Sequence, residues 1–291
     1  MAFSVFVDLG RGFLSRLGDV LGIAPGYGVR DFAGGTVVHA YSGIASLAAM
    51  LAAGPTMRRA KLNGGSLTSG MEEIMYKEKV EMRSLNIPLA IIGTSLLFFG
   101  WFGFNGGSTV VVSSQTQYAL ANTAIAGSLA GFISLIIARA HKGYRDPIMA
   151  ISGIIGGLVT ITPPAGFLDL WASYIAGVLA GIVTYYGIRY VERYYVIDDP
   201  VGSLPVHGFN GVAGSALVPI LSSPQIGGLT GIIYGGPPGW QATQLAGMAI
   251  ALLFVFITTY LTFYMLIKTG FRAKLEEVVG LDIVDHGVRV E

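Results

Sequence analysis

The chain has 291 residues, a mean hydropathy of +0.64 and only 12% charged residues, about half the ~25% of soluble domains. So little charge cannot cover a water-facing surface, and a net charge of +1 with no basic patch gives nucleic acid nothing to bind. The absence of cysteine excludes disulfides, thiolate catalysis and Cys-ligated zinc, and no nucleophile and base pair stands outside the apolar runs, which excludes a soluble enzyme.

Residues 1–30 do not form a signal peptide, because Asp8 and Arg11 interrupt the apolar run Ala2–Val7. Phe6, Leu9, Phe13, Leu17 and Leu21 fall at helical spacing and predict an amphipathic interfacial helix on the external side. Seven stretches are then long and apolar enough to span a bilayer, at 33–53, 86–106, 117–139, 147–165, 168–190, 203–222 and 242–268. The sixth is the least apolar, with Pro205, His207 and Pro219 inside it, residues tolerated at membrane depth where neighbouring helices or a cavity satisfy them. Lys and Arg cluster after the first, third, fifth and seventh stretches and are absent from 107–117, 165–168 and 223–241. The positive-inside rule makes the charged loops and the C-terminus cytoplasmic. The expected organisation is an external or interfacial segment 1–30, one membrane domain 31–270 and a cytoplasmic tail 271–291.

Few ionisable groups lie within the apolar stretches. Of four histidines, only His39 and His207 do, and each alone is more often a hydrogen-bonded packing residue. Two imidazoles that met could share one proton, and a second would put like charges together in a low dielectric, so such a pair suits a proton relay. Asp31 reads as a cap for the helix carrying His39, and a carboxylate at that mouth also favours an arriving cation. The run Gly100–Ser108 reads first as an aromatic belt and a glycine turn; Trp101 and Phe104 also offer cation–π faces and Ser108 an acceptor. Asp198, Asp199 and Pro200 read as an acidic helix start, and Asn105, Asn122 and Thr162 as polar residues that bond backbone or neighbouring helices.

Six stretches in order, DFAGGTVVH (31–39), GWFGFNGGS (100–108), Asn122-Thr123, GLVTITPPAG (157–166), DDPVGSLPVHG (198–208) and GLDIVDHG (280–287), resemble the ammonium transporter family. The resemblance implies an all-α polytopic helix bundle with about seven of the family's eleven membrane helices, the first four being absent. It further implies a homotrimer in the cell membrane, one narrow apolar pore per subunit, and transport of ammonium or ammonia with no cofactor, metal or catalytic residue. By position His39 and His207 resemble the paired pore histidines, Trp101 and Phe104 the pore lining and external gate, and Ser108 with Asp31 the ammonium recruitment site. Asn105, Asn122, Thr162, Asp198 and Asp199 resemble supporting residues. Gly280, Asp282, His286 and Gly287 resemble a regulatory tail that answers a PII-type signalling protein. Gly202 departs from the pattern, standing where an acidic residue is frequent. Competing expectations are a truncated or split fragment without autonomous activity, an ammonium sensor, and a membrane redox protein with the two histidines as haem ligands.

Overall fold

The computed structural model describes residues 12–56, 86–194, 197–272 and 286–287. Among them are seven principal helices: α1 Gly35–Ala53, α2 Ile87–Gly107, α3 Ser114–Lys142, α4 Pro147–Ile161, α5 Leu170–Val191, α6 Leu204–Leu221 and α7 Gly239–Lys268. All but α4 are long and apolar enough to cross a membrane, so the chain is an all-helical, multi-pass membrane protein. The helix boundaries follow local chemistry. Asn86 Oδ1 accepts from the Leu89 amide at the start of α2, and Ser113 with Thr116 closes a capping box on α3. Asp146 Oδ1 accepts from the Ile148 and Met149 amides ahead of α4, and Gly143, at φ 78°, ends α3.

The fourth apolar stretch, expected to span 147–165, is helical only to Ile161. Pro163 and Pro164 have no amide to continue the ladder, and the chain turns instead. Asn122 Nδ2 holds that turn from α3 by donating to the carbonyls of Ala165 and Leu168, each at 2.9 Å.

Close packing explains much of the glycine content. A Cβ on Gly157 of α4 would stand 2.5 Å from the Ala126 carbonyl oxygen of α3, and one on Gly181 of α5 would stand 2.8 Å from that of Ala130. Such contacts bring α3, α4 and α5 together as one layer. The helix ends sort into two sides. On one, Phe32 N donates to Pro163 O, Ser223 N to Phe167 O, Gln115 to Gly166 O and Tyr234 to Asp169. On the other, Asp198 accepts from the Thr56 amide at 3.0 Å, and Arg272 donates to the carbonyls of Ala53 and Pro55. The alternation expected from loop charge is therefore met by contacts that join the uncharged ends with one another.

The N-terminal segment differs from expectation. No continuous amphipathic helix forms over the described part: a 3₁₀ turn, Phe13–Arg16, leads into a short helix, Leu17–Leu21, stopped by Gly22 at φ 67°. Phe13 and Leu21 are 49% and 47% exposed, whereas Leu14 and Leu17 are buried with Val29 against Ala251 of α7. Gly18 sets the fold-back, since a Cβ there would meet the Tyr27 carbonyl oxygen at 2.1 Å. Residues 12–30 are thereby packed on the bundle. Phe6 and Leu9 lie outside the described residues.

Candidate functional site

Two π-helical turns, Gly35–Ala40 and Leu204–Phe209, open α1 and α6 and carry His39 and His207. π-turns are rare and concentrate at functional sites. Each is capped by an aspartate eight residues before its histidine. Asp31 Oδ2 accepts from the amides of Thr36 and Val37 at 2.9 and 3.1 Å; Asp199 accepts from those of Ser203 and Leu204, both at 2.8 Å. Burial pushes the Asp31 carboxyl up to about 6, against the pull of the Val37, Thr36 and Gly35 amides.

Starting from opposite sides of the bundle, the two helices cross where glycine lets backbones touch. A Cβ on Gly43 would stand 2.2 Å from the Gly208 nitrogen, and one on Gly211 would stand 2.6 Å from the Ala40 nitrogen. Each glycine lies four residues after one histidine and meets the residue just after the other. This reciprocal crossing brings His39 Nδ1 within 3.2 Å of His207 Nδ1, the rings stacked at 5.3 Å and 21°. One nitrogen of that contact must carry the hydrogen and the other accept it. Nitrogens this close leave no gap for a haem, which removes the redox reading.

From α2, the Trp101 indole stacks on His39 at 5.0 Å and 18°, and the Phe104 ring stands 5.8 Å away. The indole is fixed in turn: its Nε1 donates to Thr162 Oγ1 at 2.9 Å, and that hydroxyl donates to Leu158 O. His39 is 6% exposed, and its Nε2 is sealed from solvent without a hydrogen-bond partner among the described residues. Phe104 is 39% exposed and His207 is half-buried, so the pair borders open space on that side. Beside Asp199, Gly202 and Pro205 lies a cavity of about 350 Å³, also lined by Thr94 and Ser152.

The structure thus gathers His39, His207, Trp101 and Phe104, with Thr162 behind the indole. Ser108 and Asp31 are not brought into contact with each other among the described residues. Ser108 Oγ donates to Phe104 O at 2.8 Å, completing its own helix end. Asn105 Nδ2 donates to Thr123 Oγ1 at 2.8 Å. Asp198 holds Thr56, tying the starts and ends of three helices. In the tail, Gly280 and Asp282 lie outside the described residues, and among the described residues His286 and Gly287 make no contact with the site.

Sequence reasoning missed two networks. Asn210 bonds Thr160 Oγ1, Thr184 Oγ1 and the Pro205 carbonyl, and Gln244 of α7 bonds Arg30 and Ser215, which accepts also from Thr36. A signal existed for the first: Asn210 precedes Gly211 in an Asp-x7-His-x3-Gly pattern that occurs twice, at Asp31, His39, Gly43 and at Asp199, His207, Gly211.

Fold and site together define a multi-pass membrane protein assembled around an imidazole pair and an aromatic wall. The chain belongs to the Ammonium Transporter Family, whose model matches residues 2–290. It is 35% identical to the ammonium transporter Amt1 of Archaeoglobus fulgidus over 279 residues, covering 95% of this chain and 63% of that one. With Amt2 of the same organism the identity is 33% over 287 residues, covering 95% and 58%. Among solved structures, a "Sensor Amt Protein" superposes with a TM-score of 0.76 at 30% identity, over 89% of this chain and 60% of that one. Candida albicans Mep2 superposes at 0.74 with 25% identity, over 90% and 53%. The chain therefore spans about 60% of the length of the curated relatives it matches.

Proposed function

We propose that this chain carries ammonium nitrogen across a membrane as ammonia, passing the His39–His207 pair. The reading is carried by the 3.2 Å contact between two imidazoles in an otherwise apolar setting. A bare ammonium ion in such a place would lose hydration that the walls cannot replace, a penalty of several kcal/mol. It sheds a proton near Phe104, Ser108 and Asp31 and crosses as neutral ammonia; the proton follows through the imidazoles or is left behind. Trp101, held by Thr162, walls the path, and the cavity beside Asp199 receives the emerging molecule. Asn105, Asn122, Asp198 and Asp199 hold these elements in place.

Residues 31–270 act as the membrane domain, with 1–30 external, the tail 271–291 cytoplasmic, and the assembly a homotrimer. The tail, through Gly280, Asp282, His286 and Gly287, receives a PII-type partner. Reconstituted in proteoliposomes, the chain gives an ammonium-dependent current or alkalinisation that falls at least about tenfold in His39→Ala, and His207→Glu alters the ratio of ammonium to potassium flux. Equal flux and selectivity in all three proteins would overturn the pore assignment. Sensing is the second reading, favoured by the likeness to a structure titled as a sensor. It predicts saturable ammonium binding without flux, and the same liposomes separate the two.

A further inference from the structure

The cavity of about 350 Å³ lies between the starts of α2, α4 and α6 and the end of α5, on the side that carries the positive loops. Small-molecule sites run from about 300 to 1,000 Å³, whereas a water molecule fills only about 30 Å³. The walls are apolar, with Ile148, Ile151, Ile155, Ile188 and Ile197 among them. The charge of the cavity runs against its surroundings. Arg145 and Arg193 stand beside these helix ends in the sequence, yet the lining residues include two carboxylates, Asp199 and Glu192, and no cation. Glu192 is paired with Arg189 at 3.0 Å. Among the described residues the Asp199 side chain meets the amides of Ser203 and Leu204, one on each oxygen, which leaves each oxygen a further lone pair.

Two hydroxyls line the same space. A serine or threonine inside a helix commonly donates to the carbonyl four residues back, as Ser95 does to Ile91 at 2.9 Å. Its neighbour Thr94 is 6% exposed and makes no side-chain hydrogen bond among the described residues, and neither does Ser152 of α4. A buried hydroxyl without a partner is costly unless a ligand or water meets it. Helix capping accounts for Asp199 but for neither hydroxyl. We infer that this cavity binds a small organic ammonium ion, a primary amine on a compact hydrocarbon body. The isoleucines take the hydrocarbon, Asp199 supplies the opposite charge, and Thr94 and Ser152 accept from the N–H groups. An anion would meet the carboxylates, and a purely apolar guest would leave both hydroxyls unmatched. On the transport reading the same cavity receives the emerging ammonia, so an occupant would obstruct flux from this side; the binding itself does not rest on that reading.

Calorimetric titration of the chain in nanodiscs with cyclohexylammonium at neutral pH, corrected with empty nanodiscs, tests this. Saturable binding is expected, at least about tenfold tighter than for cyclohexanol, which lacks the charge, or for methylammonium, which lacks the ring. Thr94→Val keeps the shape, removes the acceptor and should weaken cyclohexylammonium about tenfold. Ser152→Leu occupies part of the cavity and should weaken it at least as much, so the test survives if one variant fails to fold. His39→Ala, which stops flux under the proposed function, should leave the affinity unchanged, and the two readings therefore fail separately. No saturable binding, equal affinity for cyclohexanol, or an affinity unmoved in either cavity variant overturns the inference. So does loss of binding in His39→Ala, which would place the amine beside the imidazoles instead.

Discussion

Helices α6 and α7 are adjacent in the chain and both cross the bilayer, yet 67% of the α6 window is buried and only 6% of the α7 window. α6, with two prolines, a histidine and an asparagine, is the less apolar; α7 is apolar around most of its circumference. Lipid makes no demand beyond apolarity, so α7 needs little else over Leu253, Phe254, Ile257 and Leu261, all exposed. The buried helix must satisfy polar groups and meet backbones at short range, so it spends its residues on Asn210, Ser215, Gly211 and Gly214. In this fold, weak hydropathy marks the centre.

The sharpest way to break that contrast is at the crossing. Gly43→Ala places a methyl against the Gly208 backbone at 2.2 Å, and we expect a loss of about 3 kcal/mol or a failure to fold. Gly100→Ala on α2, where nothing lies within 4 Å, serves as its control and should leave thermal unfolding in detergent unchanged. Equal melting temperatures for the two would dissolve the distinction. Next, Asn210→Leu strands the hydroxyls of Thr160 and Thr184 and the Pro205 carbonyl. A cost of about 2 kcal/mol should appear, with displacement of His207 and loss of flux. Smallest, Leu261→Ala on the lipid face should change stability by under about 0.5 kcal/mol in the same assay. A larger loss there would mean that the α7 face has a protein partner.

Much of this was legible in the sequence. Apolar runs gave the seven helices, and the scarcity of ionisable groups within them singled out His39 and His207, which do meet. What failed did so for local reasons. The stripe Phe13, Leu17, Leu21 has helical spacing, but Gly18 and Gly22 permit a fold-back that buries Leu14 with Leu17 and leaves Phe13 and Leu21 exposed, and periodicity cannot register a left-handed glycine. Pro163 and Pro164 shortened α4 although hydropathy continued through them. The bond from Ser108 to its own helix is a rotamer choice, and no motif specifies it. The twofold Asp-x7-His-x3-Gly spacing was present all along. Its meaning depends on two segments crossing head to tail, which is a fact of three dimensions.

That crossing has a consequence for how the protein can change over time. Because backbone rests on backbone on either side of the rings, the imidazole spacing is set like the rivet of a pair of scissors, independent of how bulky the blades are. Outer surfaces can drift to suit thicker bilayers, warmer habitats or new neighbours while the nitrogens keep their separation. Only an added methyl at the rivet itself would force the blades apart.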